Sequence, residues 1–413
     1  METSSMKPLL FISDSPSSST GLGRICRDLA TRVHEHLGDI YRVGVAGCGS
    51  PGSRRFGFSQ YHLEGMDGWI MPSLPEIVED FAGSDKCIIF PIFDLHRLTW
   101  FSQPERLGGE TLAKYPGLKQ WVKNANIEKW IYVPLDSSGP NDRLSFPIAL
   151  TALGFDRLLA YGEFGEALLR RSIGDEEADK RHLTHLPHGI DCDVFYPYPH
   201  NLSRKLFFQH TGAQTMLAML GVNPEIKPIA DDEVLVGAVC TNQSRKNLPL
   251  LCKTIAILAK THKVRLWLHT NELERAFSIP SLLVDYGILE NSVISLGYLP
   301  DEKMATGYSA CDLTIAPGCE GFGYPGAESL ACGTPVIHTS YAGGADVVPK
   351  EMQVDPIGFY EEGSYASMRP VYNARHWALK AIEWHNVRTS LNPKYDWVNN
   401  WVKWEAYLRE AAK

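Results

Sequence analysis

Two stretches of this chain open on the same plan. "KPLLFISDSPSSSTGLGRICRDLATRVHEHL", from residue 7, reads as a short buried strand, a polar Ser/Gly loop and a helix with Ile25, Leu29, Val33 and Leu37 at helical spacing. "DEVLVGAVCTNQSRKNLPLLCKTIAILAK", from 232 to 260, repeats strand, polar basic loop and amphipathic helix. A unit begun twice in this way predicts two parallel α/β domains. A chain of 413 residues also exceeds what one hydrophobic core usually supports.

Further strands are expected at 86–93 ("KCIIFPIF"), 129–136 ("KWIYVPLD"), 157–162 ("RLLAYG") and 184–189 ("THLPHG"). After residue 233 they are expected at 264–270, 292–298, 312–317 and 334–339. Continuous apolar strands mixed with helices imply sheets covered on both faces, a doubly wound α/β arrangement whose ligands bind beyond the carboxyl ends of the strands. Domains are placed at 1–200 and 201–390, with 196–232 as the linker region and a C-terminal helix over about 391–413. In that helix Trp397, Trp401, Trp404 and Leu408 recur at helical spacing, which predicts a packed stripe rather than a stacking surface for sugars or bases.

The net charge of −8 argues against a broad nucleic-acid face, which needs clustered Lys and Arg. Pairs such as Arg54-Arg55 and Arg170-Arg171 read as solvated surface. The nine cysteines are scattered and never spaced as CxxC, a pattern of reduced thiols rather than of a disulfide framework or zinc site. The N-terminal apolar run is too brief for a signal peptide, and no stretch reaches about 18 uninterrupted apolar residues. A cytoplasmic protein without a transmembrane segment is the expectation.

The chemistry concentrates in "PGCEGFGYPGAESLACGTPVI", 317–337, just after an expected strand. Helix is expected from Pro325 or Gly326, which puts Glu328 in its first turn and leaves Glu320 in the loop. Gly321, Gly323 and Gly326 let backbone amides approach a ligand, and free amides at a helix start favour phosphate. Two carboxylates flanking a phosphate site suit the hydroxyls of two polyols, since a carboxylate accepts strong hydrogen bonds from adjacent OH groups. A sugar and a ribose on one diphosphate, a nucleotide sugar, meet that description. Either glutamate alone would read as a turn residue or a favourable charge at a helix N-terminus.

Glu320 through Pro325, then Glu328, then "ACGTPVI" resemble the E-x7-E signature of the retaining family 4 glycosyltransferases of GT-B fold. In matching order come "STGLGR" after the first strand, "LPHGIDCDVFYP" (186–197) at the domain junction, "SRKN" (244–247) and "LGYLPDEKMATGYSACDLTIAP" (296–317). The resemblance implies two Rossmann-like domains facing a cleft, an N-terminal one for the acceptor and a C-terminal one for the nucleotide sugar, with the C-terminal helix packing back toward the first. It implies that Glu320 contacts the donor sugar, amides of Gly321, Phe322 and Gly323 surround sugar and phosphates, Glu328 holds the ribose, and Lys246 binds the diphosphate. Gly21, Gly23 and Tyr298 join the donor contacts by the same resemblance, and Asp136 the catalytic group.

Two departures stand out. The family's arginine upstream of the lysine is replaced by Thr241 or Asn242, which makes Arg245 the candidate substitute. Its N-domain His-Asp pair reads Leu135-Asp136 here; His96 in "FDLHR" is a candidate replacement, weighed against an ordinary solvent-facing or capping histidine. Asp191-Cys192-Asp193 has the D-x-D form of a metal site, but it falls inside the junction segment. No cofactor and no essential metal are expected.

The implied reaction transfers a hexose from a UDP- or GDP-sugar to an acceptor hydroxyl with retention, the leaving phosphate helping to deprotonate the acceptor. The alternatives are a noncatalytic scaffold of the same fold, a sugar phosphorylase and a nucleotide-sugar epimerase. Acceptor specificity is assigned to loops 14–24, 50–66 and 94–110. A glycan, a small molecule, a protein and a hydroxylated nucleobase stay open as acceptors, and so does the oligomeric state.

Overall fold

The computed structural model describes residues 6–49, 52, 54–63, 70–106, 109–219, 221 and 226–413. Of the acceptor loops expected from sequence, residues 50, 51, 53, 64–66, 107 and 108 lie outside the described residues, as do residues 1–5 of the N-terminal run. The chain forms two compact units. One comprises 1–188, 363–367 and 400–413, the other 189–362 and 368–399. The division thus falls between His188 and Gly189, twelve residues before the boundary read from sequence.

The first unit holds β1 (Lys7–Asp14), β2 (Tyr41–Cys48), β3 (Ser59–Leu63), β4 (Cys87–Pro91), β5 (Ile127–Val133), β6 (Arg157–Ala160) and β7 (Thr184–His185). They form one sheet in the order β3-β2-β1-β4-β5-β6-β7, and every pair is parallel. β1 and β4 are buried almost end to end, as strands covered by helices on both faces must be. The sequence reading missed β2 and β3, and the strand expected at 184–189 shrinks to two residues.

The second unit holds β8 (Gln214–Thr215), β9 (Val234–Val239), β10 (Val264–Thr270), β11 (Ser292–Leu296), β12 (Leu313–Ala316), β13 (Val336–Thr339), β14 (Gln353–Val354) and a separate hairpin of β15 (Gly358–Glu362) and β16 (Ser367–Val371). The main sheet runs β14-β13-β12-β9-β10-β11-β8, parallel except where β8 joins β11. Its core includes Ile255, Leu266, Leu268, Leu313, Ile337 and Trp377.

Of the linker expected at 196–232, residues 220 and 222–225 lie outside the described residues, and the first part is no linker. His200–Thr211 is a helix of this unit. Phe207 is fully buried there, with its ring edge-on to Trp267 at 5.4 Å. Arg204 pairs with Asp312, whose carboxylate also accepts from the Leu235 amide at 2.7 Å. A buried aromatic and a mostly buried ion pair outweigh the prolines and charges that suggested a spacer.

The C-terminal helix is Trp397–Ala411. Trp397, Trp401, Trp404 and Leu408 are all buried on one face, so the stripe packs, and from Asn400 onward the helix belongs to the first unit. There the Trp404 indole donates to the Pro187 carbonyl at 3.0 Å and the Tyr41 hydroxyl to the Leu408 carbonyl at 2.8 Å. No described helix is long and apolar enough to cross a membrane.

Candidate functional site

β9 and β12 are neighbours, yet the chain leaves β9 toward β10 on one side and β12 toward β13 on the other. Loops diverge at such a switch point and open a crevice beyond the strand ends, the usual place for a ligand in this kind of sheet. The loop after β9 carries Arg245 and Lys246 in a short 3-10 turn, and the loop after β12 carries Glu320.

The two loops meet through charge. The Lys246 ammonium donates to Oε1 of Glu320. Arg245 Nη1 donates to Oε2 at 3.1 Å and to the Cys319 carbonyl at 2.6 Å. Burial alone would push the Glu320 carboxyl up, but the adjacent charges of Lys246 and Arg245 and their hydrogen bonds outweigh it and hold it at about 2. Burial and the neighbouring Arg245 draw the Lys246 ammonium below its ordinary value, with Glu320 pulling the other way. Two cations around one carboxylate leave an excess of positive charge where a diphosphate would be welcome. Of the two residues that stand in the region of the family's upstream arginine, Asn242 is held structurally. Its fully buried amide donates to the Phe277 carbonyl at 2.7 Å and accepts from the Phe277 amide at 3.1 Å. Arg245 therefore supplies the second cation at Glu320.

Glycines set the path of the Glu320 loop. Gly323 has φ +85°, left-handed backbone that disfavours a side chain, and the helix Tyr324–Ala331 starts directly after it. Gly343 presses against the loop from the other side: a Cβ there would lie 2.0 Å from the Gly321 carbonyl oxygen. Beside it the Gly344 amide donates to the Glu320 carbonyl at 2.9 Å. Phe322 turns its ring into the protein, edge-on to Tyr324 and Tyr395 at 5.4 and 5.8 Å, and anchors the loop.

Because the helix begins at Tyr324, Glu328 stands in its second turn, not its first. Its carboxylate is buried and accepts from the Tyr308 hydroxyl at 2.9 Å. Pro325 at the second helical position, where its missing N–H costs nothing, makes the earlier start compatible with the sequence. Tyr298 follows β11, two strands from β9, and is 66% exposed. Nothing described joins it to the cluster around Glu320.

The remaining expected residues belong to the first unit. Gly21 opens the helix Gly21–His36, whose cap is Thr20. The Thr20 hydroxyl accepts from the Gly23 amide at 3.1 Å and donates to Asp14 at 2.6 Å. At Gly23 a Cβ would lie 2.1 Å from the Ser18 hydroxyl, so packing of the loop on the helix accounts for that glycine. Asp136, three residues past β5, and His96, in the turn Leu95–Leu98 after β4, line one open hollow. The Ser137 hydroxyl donates to Asp136 at 3.1 Å.

Asp191 and Asp193 form a turn, the Asp193 amide donating to the Asp191 carboxylate at 3.1 Å. Among the described residues no group of three or more His, Cys, Asp or Glu is arranged to hold a metal ion. Sequence reasoning did not single out Gly343, Gly344 or Tyr308. The Gly-Gly pair in "SYAGGADVV", directly after the strand that follows the two glutamates, was the available signal for the first two.

Residues 232–361 match the model of the family "Glycosyl transferases group 1". The O-antigen chain mannosyltransferase B of Escherichia coli is 33% identical over 117 residues, which are 26% of this chain and 31% of that relative. The chain thus matches about a third of the relative's length. Among solved structures, sucrose-phosphate synthase from Thermosynechococcus elongatus has a TM-score of 0.67 at 16% identity, covering 98% of this chain and 99% of that one. HepE of Anabaena, solved in complex with UDP-glucose, has a TM-score of 0.63 at 14% identity, with the same coverage. The likeness to these structures extends over both units, and the sequence match falls on the unit that holds Arg245, Lys246 and Glu320. Residues 232–361 are a glycosyl transferases group 1 domain, carried in a chain of GT-B fold.

Proposed function

We propose that this chain transfers a hexosyl group from a nucleotide-diphosphate sugar, a UDP- or GDP-sugar, to an acceptor hydroxyl with retention of anomeric configuration. The observation that carries this reading is the ion cluster of Arg245 and Lys246 around Glu320 at the β9/β12 switch point of a group 1 domain. An arriving diphosphate competes with Glu320 for the two cations. The carboxylate is then free to accept hydrogen bonds from sugar hydroxyls. As the glycosidic C–O bond to the diphosphate breaks, Lys246 and Arg245 balance the charge that collects on the leaving group. The acceptor oxygen bonds to the anomeric carbon on the face the leaving group vacates, and its proton passes to a phosphate oxygen. Glu328 holds the ribose, and amides of the Gly321–Gly323 loop approach the sugar and phosphates. These cations do the work a metal does elsewhere, so the reaction needs no essential metal.

A thermal-shift screen against UDP, GDP, ADP, UDP-glucose and GDP-mannose, with and without EDTA, tests the reading. A ligand that binds only the folded state raises the melting midpoint by mass action. Stabilisation by one nucleotide irrespective of EDTA is the expected result and names the base. Absence of any shift across the panel would overturn the reading, and a shift abolished by EDTA would overturn its metal independence.

A further inference from the structure

His338 is an unexpected side chain for its place. It sits in β13 with no exposed surface, and its Nδ1 donates to the Thr339 carbonyl at 2.8 Å. A carbonyl only accepts, so the ring proton is on Nδ1 and Nε2 keeps a bare lone pair. Among the described residues that Nε2 is buried and has no hydrogen-bond partner. An apolar side chain would fill a buried strand position without this cost, so a lone pair kept there calls for a reason in function.

The imidazole faces Gly344. A Cβ on Gly344 would lie 2.7 Å from Cε1 and 2.8 Å from Nε2 of His338, and 3.1 Å from Cβ of Glu320. Only glycine therefore fits between the ring and Glu320, and its amide is the one that donates to the Glu320 carbonyl. The turn that brings Gly344 there is entered through Ala342, which is buried and has φ +72° and ψ 177°, a conformation normally left to glycine. Such a backbone persists only where its surroundings impose it. The Gln353 side-chain amide holds the turn by donating to the Ala345 and Val348 carbonyls at 2.8 and 2.7 Å. The His338 ring leaves Gly344 no room to sink toward the sheet.

We propose that His338 is a positioning residue for Glu320: its ring supports Gly344, the Gly344 amide holds the Glu320 carbonyl, and the support lasts only while Nε2 carries no proton. The charged groups that act on the ring are Glu320 and Lys246. The helix Tyr324–Ala331 turns Gly326 toward it and β14 pairs it with Gln353, both uncharged. A proton on Nε2 would make it a donor without a partner, and would add a third cation to the two that share the Glu320 carboxylate. Burial, the largest influence on the imidazole, opposes that proton. The neutral ring is the working state, and acid disrupts it.

The inference rests on the transferase reading for its turnover readout alone. In the full chain with isotope-labelled histidine, nitrogen NMR of the His338 ring, assigned by its absence from His338→Gln, is expected to show the neutral Nδ1–H form at pH 7.5. An Nε2–H form or a protonated ring overturns the proposal. Hydrogen exchange of peptides covering 340–347 follows the Gly344 amide. His338→Asn, which keeps a donor for Thr339 but stops short of Gly344, is expected to speed that exchange about tenfold, and His338→Gln, which reaches Gly344 and does not titrate, to stay within about threefold of the parent. Parental exchange in His338→Asn overturns the proposal. Turnover is read as nucleotide release from UDP-glucose and GDP-mannose. From pH 7.5 to pH 5.5 the parent's kcat is expected to fall about threefold or more while affinity for the same nucleotide sugar stays within about twofold, and the kcat of His338→Gln to stay level. A level parental kcat, or an equal fall in His338→Gln, overturns the need for a neutral ring. If the parent turns over neither nucleotide sugar, the transferase reading loses its support, and the imidazole and exchange readouts decide the proposal by themselves.

Discussion

Glu320 is the residue on which the site turns, because its charge compensates two cations that would otherwise face each other. Lys246 is 7% exposed, and removing the carboxylate charge beside its ammonium leaves a buried cation without a counter-charge, at a cost of about 2 kcal/mol after partial hydration. Glu320→Gln is therefore expected to lower turnover about a hundredfold or more and also to lower the melting midpoint. Added pyrophosphate should restore more stability to the variant than to the parent, since it supplies the missing negative charge. A variant with parental turnover would remove Glu320 from the reacting centre. With its carboxyl held at about 2, Glu320 stays ionised at any pH an assay uses, so it does not set the acid limb of activity. In sequence, Glu320 and Glu328 stood out by their spacing around a glycine loop, and Lys246 by the family resemblance. The pairing was not legible, since Lys246 and Glu320 are 74 residues apart and only the adjacency of β9 and β12 joins them.

At the scale of elements, two loops built from glycine are pressed face to face. Gly343→Ala places a methyl group 2.0 Å from the Gly321 carbonyl oxygen, a backbone atom that cannot rotate away. The substitution is expected to cost about 2 kcal/mol and to weaken nucleotide binding by displacing the Glu320 loop, both read from melting curves with and without UDP or GDP. Parental behaviour would show that the two loops separate freely. The sequence located the first loop, whose glycines, aromatics and prolines sit between a strand and a helix. It gave no contact between that loop and Gly343. The helix His200–Thr211 escaped for a different reason. Its one fully buried aromatic, Phe207, makes a weak apolar stripe, and the ion pair of Arg204 with Asp312 that fastens it spans 108 residues.

At the scale of the whole molecule, three histidines among the described residues are buried, His188, His269 and His338. Burial lowers the His269 imidazole from 6.5 to about 4. Burial and the nearby Arg24 draw His188 well down, and burial draws His338 down against smaller opposing effects of the Thr339 carbonyl and Glu320. A depressed folded-state value means that the unfolded chain takes up protons first as pH falls. Above about 6.5 these groups cost the folded state nothing, and as pH falls below it stability is lost, for His269 up to about 3 kcal/mol by about 4. The melting midpoint is accordingly expected to fall steadily between pH 7 and pH 4.5, and a flat midpoint would mean that the three rings are solvated. By itself the sequence determined two parallel α/β units, the five central strands β9 to β13 of the second unit's sheet but not its edge strands β8 and β14, the packed tryptophan stripe and the residues of the Glu320 loop. These are local properties, fixed by periodicity and by the conformations that glycine and proline allow. The tertiary structure alone decided where one unit ends and the next begins, which cation faces Glu320, how deep Glu328 lies, and that Asp136 and His96 share one hollow. Each of those depends on strand order and on contacts between distant segments, and no short stretch of chain contains them.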